Sequence, residues 1–314
     1  MLICVKLRSF ILVKTVRNDF LSEEEKIEYV KECDNAFERE LDRVSRSIIE
    51  MGDTRFVTLS GPTCSCKTTT VKKIIADVID AGKKIKIISI DDFFKSRNED
   101  RKELLKVGKA VDFDTLNALD FDYLCECTDL IMNGKKAMLP EFDFNTARRK
   151  GYVEFDPSGY DIIVYEGIQA IYPEVRQSFS RYSPLSLFIN VEGPVKCGKE
   201  VFSGREVRLC RRIVRDSRFR NAAPEFTMFM WDSVTENEDK NMLPYADTAK
   251  IRIDSFIPYE LNLIKEPLCD LLKNVPCDSD YYNEACRLIC KFDGVTPIDP
   301  RYIPDDSMYR EFLG

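Results

Sequence analysis

The segment from Gly61 to Thr68, with the sequence Gly-Pro-Thr-Cys-Ser-Cys-Lys-Thr, constrains the fold more than any other part of the chain. It follows the pattern of glycine, four variable residues, glycine, lysine and serine or threonine, except that Cys66 replaces the second glycine. The apolar run Phe56–Ser60 before it predicts a strand, and Lys67–Asp80 after it predicts a helix. A loop in this setting binds phosphate, because its backbone N–H groups and the helix N-terminus attract anions.

The loop therefore predicts a site for the phosphates of ATP. Lys67 would neutralise phosphate oxygens, and the hydroxyl of Thr68 would bind Mg²⁺. A side chain at Cys66, where the backbone should approach phosphate closely, would crowd the nucleotide, so weak ATP binding is an open alternative. The residues predicted to bind ATP in this segment are Gly61, Pro62, Thr63, Cys64, Ser65, Cys66, Lys67, Thr68 and Thr69.

The rest of the chain alternates between strand-like and helix-like segments. The run Ile162, Ile163 and Val164 is typical of a central parallel strand, because both faces of such a strand are buried. Strands that alternate with helices predict an α/β fold of the P-loop NTPase type, a doubly wound parallel sheet with helices on both faces. The other predicted strands lie at 84–90, 160–166, 185–191 and 249–253, and the other predicted helices at 22–49, 115–132, 206–219, 224–234 and 259–274.

Composition excludes several classes of function. The net charge of −7 argues against a general binder of nucleic acid or membrane surfaces, and no segment reaches the roughly 20 apolar residues of a membrane span. The absence of histidine excludes Ser-His and Cys-His catalytic units, so a general base must be a carboxylate, Lys, Tyr or Cys. The twelve cysteines lack paired metal-ligand spacing and fit reduced thiols, so we expect a cytoplasmic protein.

Three carboxylates follow two of the predicted strands. Asp91 and Asp92 come after the strand at 84–90, and Glu166 ends the strand at 160–166. Because ligands of open α/β sheets bind at the carboxyl ends of the strands, we expect these groups to lie beside the phosphate loop. Phosphoryl transfer needs one carboxylate that accepts the proton of the substrate hydroxyl and another that organises Mg²⁺ and its waters.

Seven arginines crowd the segment 205–220, and their spacing places most of them on one face of a helix. A solvated basic face and a nucleic-acid surface are the alternatives, and no groove-binding motif supports the second. Given the phosphate loop, we favour a lid that closes over ATP. In that lid Arg212, Arg215 and Arg220 would stabilise charge on the phosphoryl group.

These features occur in the order seen in a known family. The motifs that carry the likeness are Gly61 to Thr68, Ser89 to Phe94, Val111 to Asp114, Leu139 to Phe144, Tyr165 to Ile168 and Arg211 to Asp216. Over residues 45–314 the chain resembles the uridine kinase and phosphoribulokinase family, and within it the bacterial-type uridine-kinase-like nucleoside kinases. The resemblance implies transfer of phosphate from ATP, with Mg²⁺, to the 5′-hydroxyl of a nucleoside.

The resemblance also implies roles for individual residues. Asp91 would take the proton from the ribose 5′-hydroxyl, Glu166 would belong to the metal-water shell, and Asp114 would hold the sugar hydroxyls. Phe94 and Phe142 would surround the nucleobase. The implied catalytic residues are Asp91, Lys67 and Arg212, and the implied metal ligands are Thr68 and Glu166. The implied phosphate-binding arginines are Arg215 and Arg220. The implied substrate-binding residues are Asp92, Phe94, Asp114, Phe142 and Arg212.

Two departures from the family pattern leave alternatives open. Uridine–cytidine kinases carry a histidine that reads the pyrimidine edge where this chain has Ala147, and without that hydrogen bond the preferred base is in question. A kinase of the same fold for another small metabolite alcohol is one alternative. The other is a degenerate nucleotide-binding regulator. Cys66 and Ala147 favour it, and the retained Lys67, Thr68, Asp91 and Glu166 oppose it.

The predicted organisation has three consecutive parts. Residues 1–50 form a partly helical N-terminal extension, residues 51–275 a P-loop kinase domain with its lid at about 204–235, and residues 276–314 a helical C-terminal extension and tail. Within residues 1–17, the basic side chains interrupt the apolar run that a signal peptide needs, and residues 2–7 alternate like a strand. The expected partners are ATP and a small nucleoside-like substrate, and the sequence leaves open whether the chain forms a homo-oligomer.

Overall fold

The structure, a computed structural model, describes residues 13–52, 55–96, 115–144 and 146–314. Within these ranges the β-strands are β1 (Lys14–Val16), β2 (Phe56–Ser60), β3 (Ile85–Ser89), β4 (Ala137–Asp143), β5 (Arg148–Phe155), β6 (Ile162–Glu166), β7 (Leu185–Asn190), β8 (Val195–Cys197), β9 (Glu200–Phe202) and β10 (Ile251–Asp254). The α-helices are α1 (Glu23–Ile49), α2 (Lys67–Asp80), α3 (Phe121–Met132), α4 (Pro173–Phe179), α5 (Gly204–Arg220), α6 (Pro224–Asn241), α7 (Glu260–Leu272), α8 (Tyr282–Lys291) and α9 (Arg310–Leu313).

Five of these strands form one parallel sheet in the order β10–β7–β2–β6–β3. From β2 the chain continues to β3 and β6, which lie toward one edge of the sheet, and later to β7 and β10, which lie toward the opposite edge. The direction of winding therefore reverses at β2. Ligands of doubly wound sheets bind at such a reversal, beside the carboxyl ends of the strands. The segment that follows β2 therefore lies at the binding edge of the sheet.

Alternate residues of the central strands pack on opposite faces of this sheet. Ile162 and Val164 of β6 join a buried cluster with residues of α1 and α2, among them Ile74. Ile163 and Tyr165 of the same strand join a second buried cluster with residues of α3 and α4. Helices cover both faces, so the predicted α/β fold with a doubly wound parallel sheet is confirmed.

The chain divides into two compact units that are interleaved along the sequence. One unit contains the parallel sheet and comprises residues 36–190 and 228–254, and the other comprises residues 13–35, 191–227 and 255–314, within the described ranges. The three consecutive domains expected from the sequence stay a prediction. The phosphate loop belongs to the first unit and the arginine-rich helix α5 to the second.

The predicted helix at 115–132 is wrong over its first part. A short 3-10 turn at Leu116–Ala118 is followed by extended residues before α3 begins. Leu119 forms an antiparallel bridge with Phe94, a residue distant in sequence. This tertiary pairing outweighs the local helical preference, because an extended backbone is needed to make it.

The sequence prediction also missed an antiparallel hairpin. Strands β4 and β5 pair with each other, with a register shift at Glu141 and Phe142. In the second unit, β1 pairs in parallel with β8. The strand-like alternation at residues 2–7 lies outside the described residues. Residues 99–111, which are rich in charged side chains, lie outside the described residues.

Helix α5 begins with a capping box and carries a buried ion pair. The Ser203 hydroxyl accepts a hydrogen bond from the Glu206 N–H over 3.1 Å, and the Glu206 carboxylate accepts one from the Ser203 N–H over 2.8 Å. Arg211 is fully buried, lies 2.6 Å from the carboxylate of Glu260 and donates to the backbone carbonyl of Ser255 over 2.8 Å. This arginine is therefore part of the core of its unit.

Two isoleucines of α2 test how much the sheet contacts stabilise the fold. Ile74 is 1% exposed within the buried cluster, whereas Ile79 is 54% exposed on the same helix. We expect Ile74→Ala to lower the free energy of unfolding by about 2–5 kcal/mol, because it leaves a cavity. Ile79→Ala, the matched control, should change it by less than about 0.5 kcal/mol. Urea unfolding followed by circular dichroism measures both, and equal losses would contradict this packing.

The carboxylate of Glu206 makes stability depend on pH. It accepts hydrogen bonds of 2.7 Å from Lys291 and from Arg287. Burial raises the pKa of Glu206, but hydrogen bonds from Lys291, from the Ser203 backbone and from Arg287 together lower it from 4.5 to about 2. A carboxyl group with a lowered pKa stabilises the folded state above its unfolded pKa, and this stabilisation is lost as the pH falls from about 4.5 toward 2.

We therefore expect Glu206→Gln to be destabilising at neutral pH and progressively less so below about pH 4.5. The measurement is the difference in unfolding free energy between wild type and variant at a series of pH values. A difference that stays constant across the acid range would show that the carboxylate charge does not contribute.

Candidate functional site

The phosphate loop begins with a glycine that the sheet requires. A Cβ atom on Gly61 would lie 2.1 Å from the backbone oxygen of Ile189 in β7, far inside contact distance. No side chain fits there, since a backbone atom cannot move away cheaply. Gly61 therefore lets the loop turn tightly against the neighbouring strand at the point where β2 ends.

Both cysteines of the loop adopt the left-handed backbone conformation that glycine favours. Cys64 has φ 57°, and Cys66 has φ 67° and ψ 28° directly before the first residue of α2. This conformation costs a non-glycine residue about 1–2 kcal/mol. Cys66 thus keeps the backbone shape of the missing second glycine while adding a buried side chain.

The loop residues fit a bound triphosphate. The Lys67 ammonium donates to the Pro62 carbonyl over 3.0 Å, which holds the cation across the loop. The Ser65 hydroxyl is buried and has no hydrogen-bond partner among the described residues, so its hydrogen-bonding capacity suits a ligand. Thr68 is exposed on the first turn of α2, where the helix dipole favours an anion.

The sheet brings the predicted carboxylates to the same edge as the loop. Asp91 and Asp92 lie in a 3-10 turn directly after β3, and Glu166 is the last residue of β6. In the parallel register Glu166 is opposite both Ser89 of β3 and Leu59 of β2. The three carboxylates and the phosphate loop are therefore in one unit, at the carboxyl ends of adjacent strands.

The segment after Glu166 is tied to β2 and to the aspartate turn. The N–H of Gly167 donates to the Leu59 carbonyl over 3.1 Å, and the Ser60 hydroxyl donates to the Ile168 carbonyl over 2.8 Å. A Cβ atom on Gly167 would lie 2.8 Å from Cβ of Ile90, next to Asp91. These contacts fix the backbone next to Glu166, the predicted metal ligand, and next to Asp91, the predicted base.

Asp92 links the aspartate turn to the hairpin. Its carboxylate accepts a hydrogen bond of 3.3 Å from the N–H of Phe142 in β4. Burial raises the pKa of Asp92, and the hydrogen bond from Phe142 partly opposes that shift. The structure thus gives Asp92 a part in holding the hairpin in place, and a direct contact with substrate stays a prediction.

An aromatic cluster joins the turn to the hairpin. The rings of Phe94 and Phe142 lie edge to face with centroids 5.7 Å apart, and both are buried. Phe144 lies 5.2 Å from Phe142 and 6.4 Å from Phe94, and it is 53% exposed. Of these three rings only that of Phe144 is exposed, and the sequence analysis gave this residue no role. The available signal was its place at the end of the Leu139 to Phe144 motif, two residues after Phe142.

The predicted arginines lie in the other unit. Arg212, Arg215 and Arg220 are on α5, and each of them contacts the carboxylate of Asp216. Sequence reasoning missed Asp216, although its spacing of four residues from Arg212 and Arg220 is that of neighbours on a helix. Asp114, the expected ligand of the sugar hydroxyls, lies outside the described residues.

The residues at the sheet edge also fit Mg²⁺. Among the described residues no three His, Cys, Asp or Glu side chains are grouped as a metal cage. Mg²⁺ at phosphate sites commonly takes one or two protein oxygens and completes its shell with waters and substrate phosphates. Thr68 and Glu166 are oxygen donors of this kind.

No helix of the described ranges is both long and apolar enough to span a bilayer.

Comparison with known proteins gives a family and named relatives. The model of the Phosphoribulokinase / Uridine kinase family matches residues 56–259. A uridine kinase of Mycoplasma genitalium is 30% identical over 208 residues, which cover 62% of this chain and 87% of that protein. A uridine kinase of Ureaplasma urealyticum is 28% identical and covers 63% of this chain and 86% of that protein. A solved structure described as a possible uridine kinase from Bacillus stearothermophilus is 15% identical, with a TM-score of 0.42, and covers 68% of this chain and 97% of that one.

Replacing Cys66 with glycine tests whether the side chain crowds the phosphates. We expect Cys66→Gly to bind ATP more tightly than wild type, because glycine keeps the left-handed backbone and has no side chain at the position where the loop pattern brings the backbone close to phosphate. Calorimetric titration with ATP measures the change. Cys64→Gly is the matched control, since it relaxes a similar backbone conformation at a position where the pattern has no glycine. Equal ATP affinity of Cys66→Gly and wild type would contradict the crowding.

Proposed function

Because the chain belongs to the Phosphoribulokinase / Uridine kinase family, and is thus a phosphotransferase, we propose that it transfers the γ-phosphate of ATP to the 5′-hydroxyl of a nucleoside. One observation carries the proposal. The phosphate loop, Asp91 and Glu166 meet at the carboxyl edge of one parallel sheet, where adjacent strands end in register. This edge is where open α/β sheets bind their ligands.

In the proposed reaction, each side chain at this edge of the sheet has one role. Lys67 and the backbone of the loop bind the β- and γ-phosphates and offset their charge. Asp91 accepts the proton as the hydroxyl oxygen attacks the γ-phosphorus, and the bond from that phosphorus to the β-phosphate oxygen breaks to release ADP. Glu166 and Thr68 would hold Mg²⁺, which supplies positive charge against the phosphate oxygens when bound.

The aromatic cluster supports a substrate with a flat ring. Phe144 presents an exposed ring backed by the buried rings of Phe94 and Phe142, and an aromatic face stacks on any nucleobase. Ala147 is buried, with φ 53°, at the turn between β4 and β5, and its methyl group cannot hydrogen-bond to a base. We therefore propose a nucleoside kinase that discriminates weakly between bases.

A substrate panel tests this function. Wild type is assayed for ATP-dependent phosphorylation of purine and pyrimidine nucleosides, free sugars, sugar phosphates and other small alcohols. Turnover of nucleosides supports the proposal. Turnover restricted to sugars or sugar phosphates would show that the acceptor is one of these compounds and not a nucleoside. Binding of ATP without turnover of any acceptor would identify a nucleotide-binding regulator, the role that Cys66 favours.

The Asp91 carboxylate should be essential for turnover. We expect Asp91→Asn to lower kcat by about 10²–10⁴, because the amide cannot accept the hydroxyl proton. ATP affinity should change little, since the loop that binds the phosphates is intact. Asp122→Asn, on the exposed first turn of α3, is the control and should keep wild-type turnover. An active Asp91→Asn enzyme would overturn the assignment of the base.

A further inference from the structure

One arginine of β5 joins three segments that surround the hairpin. The N–H of Arg149 donates to the Ser96 hydroxyl over 2.9 Å, just beyond the aspartate turn. One terminal nitrogen of its guanidinium donates to the Phe94 carbonyl over 3.4 Å and to the Asp120 carboxylate over 3.2 Å. The other terminal nitrogen donates to the Tyr152 hydroxyl over 2.9 Å, on the same strand. Arg149 therefore links the hairpin to the segment after β3 and to the residue before α3.

Aromatic rings and an acidic partner hold this guanidinium in place. Its central carbon lies 5.6 Å from the ring centre of Tyr123 and 5.5 Å from that of Tyr152, and these two rings pack edge to face. The Arg149 side chain is only 15% exposed, and it forms an ion pair with Asp120. A cation over an aromatic face is attracted to it, and the attraction is stronger where water is excluded. These contacts leave the guanidinium little freedom to turn.

The hairpin depends on such contacts because it has only two strands. Within the described ranges β4 and β5 pair with each other alone. A two-stranded hairpin is marginally stable by itself, so its place against the rest of the unit depends on side chains. Arg149 is in register with Phe142 of β4, whose N–H donates to the Asp92 carboxylate. The hairpin is thus fastened from both strands, by Phe142 to the aspartate turn and by Arg149 to the residues directly after it.

The aromatic cluster of Phe94, Phe142 and Phe144 lies at this fastened end of the hairpin. Phe94 is the third residue after Asp91, and its carbonyl accepts a hydrogen bond from the Arg149 side chain. Arg149 also lies directly across the hairpin from Phe142. Loss of the guanidinium would therefore loosen the rings relative to Asp91 without removing any of them.

We propose that Arg149 is a positioning residue for the phosphate acceptor, because it fixes the aromatic cluster relative to Asp91. The proposal rests on the proposed function, which assigns the hydroxyl of the acceptor to Asp91 and its flat ring to Phe144. The Arg149 side chain is mostly buried among protein groups, so it acts through the cluster and not on the acceptor itself. A cluster that is fixed before binding needs less ordering when the acceptor binds, and the affinity for the acceptor rises accordingly.

Steady-state kinetics with a nucleoside as acceptor, at saturating ATP, test the proposal. We expect Arg149→Met to raise the KM for the nucleoside about tenfold and to lower kcat by less than about threefold, because the loosened cluster must be ordered when the acceptor binds. ATP affinity, measured by calorimetry, should be unchanged, since the phosphate loop is intact. Arg149→Lys keeps the charge but lacks the fork of two terminal nitrogens, so its KM should be intermediate. Lys150→Met, which removes an exposed cation next to Arg149, is the matched control and should keep the wild-type KM.

A double-mutant cycle shows whether Arg149 acts through its ion pair. Asp120→Asn alone should raise the KM for the acceptor, and it should raise it much less in an Arg149→Met background. All assays are run at a temperature at which circular dichroism shows each variant to be folded, so a loss of stability alone does not change KM. Effects on KM that simply add, a wild-type KM in folded Arg149→Met, or a fall in kcat at unchanged KM would overturn the proposal. If Arg149→Met fails to fold, Arg149→Lys and Asp120→Asn decide: a wild-type KM in both overturns the positioning role, and a raised KM with unchanged ATP affinity in either supports it.

The outcomes also separate this proposal from the proposed function. If the wild-type protein phosphorylates an acceptor other than a nucleoside, and the KM for that acceptor depends on Arg149, the positioning role is supported and the nucleoside is overturned as substrate. Nucleoside turnover with a KM that does not depend on Arg149 would do the reverse. A wild-type protein that phosphorylates no acceptor would overturn both.

Discussion

The parallel hydrogen-bonded pairing of β2, β6 and β3 is the constraint on which the candidate site depends. Glu166 is in register with both Leu59 and Ser89, so the ends of three strands meet at one level. The loop after β2 and the turn after β3 begin at that level and hold their backbones there. A shift of one residue in any of these strands would turn its side chains to the other face and separate the carboxylates from the phosphate loop.

Backbone conformation at the loop follows from the same sheet. Gly61 must be glycine because the chain of β7 passes directly beside it. Cys64 and Cys66 adopt left-handed conformations that are unfavourable for residues with a Cβ atom, and the surrounding structure holds them there. Strain of this kind is common where a loop must present its N–H groups to a ligand. The unusual feature of this chain is that it keeps the shape of a phosphate loop without the second glycine.

The arginines of α5 contact acidic partners of two kinds, one far away in sequence and one on the same helix. Arg211 stabilises its unit as one half of a neutral buried pair with Glu260. Arg212, Arg215 and Arg220 all contact the carboxylate of Asp216, which lies on the same helix. The sequence shows a crowded basic segment and cannot distinguish these cases, because the difference depends on which acidic groups the folded chain brings within reach.

The sequence by itself determined the strand, loop and helix around Gly61, the alternation of buried strands with helices, and hence the α/β sheet. These features depend on hydrophobic periodicity and on local backbone chemistry, which are properties of contiguous residues. Tertiary structure alone decided that Leu119 is extended rather than helical and that the Asp92 carboxylate accepts a hydrogen bond from the Phe142 N–H. It also decided that Phe144 is the exposed ring of the aromatic cluster with Phe94 and Phe142. Each of these depends on a partner far away in sequence, and which distant groups meet is fixed only when the sheet and the hairpin have formed.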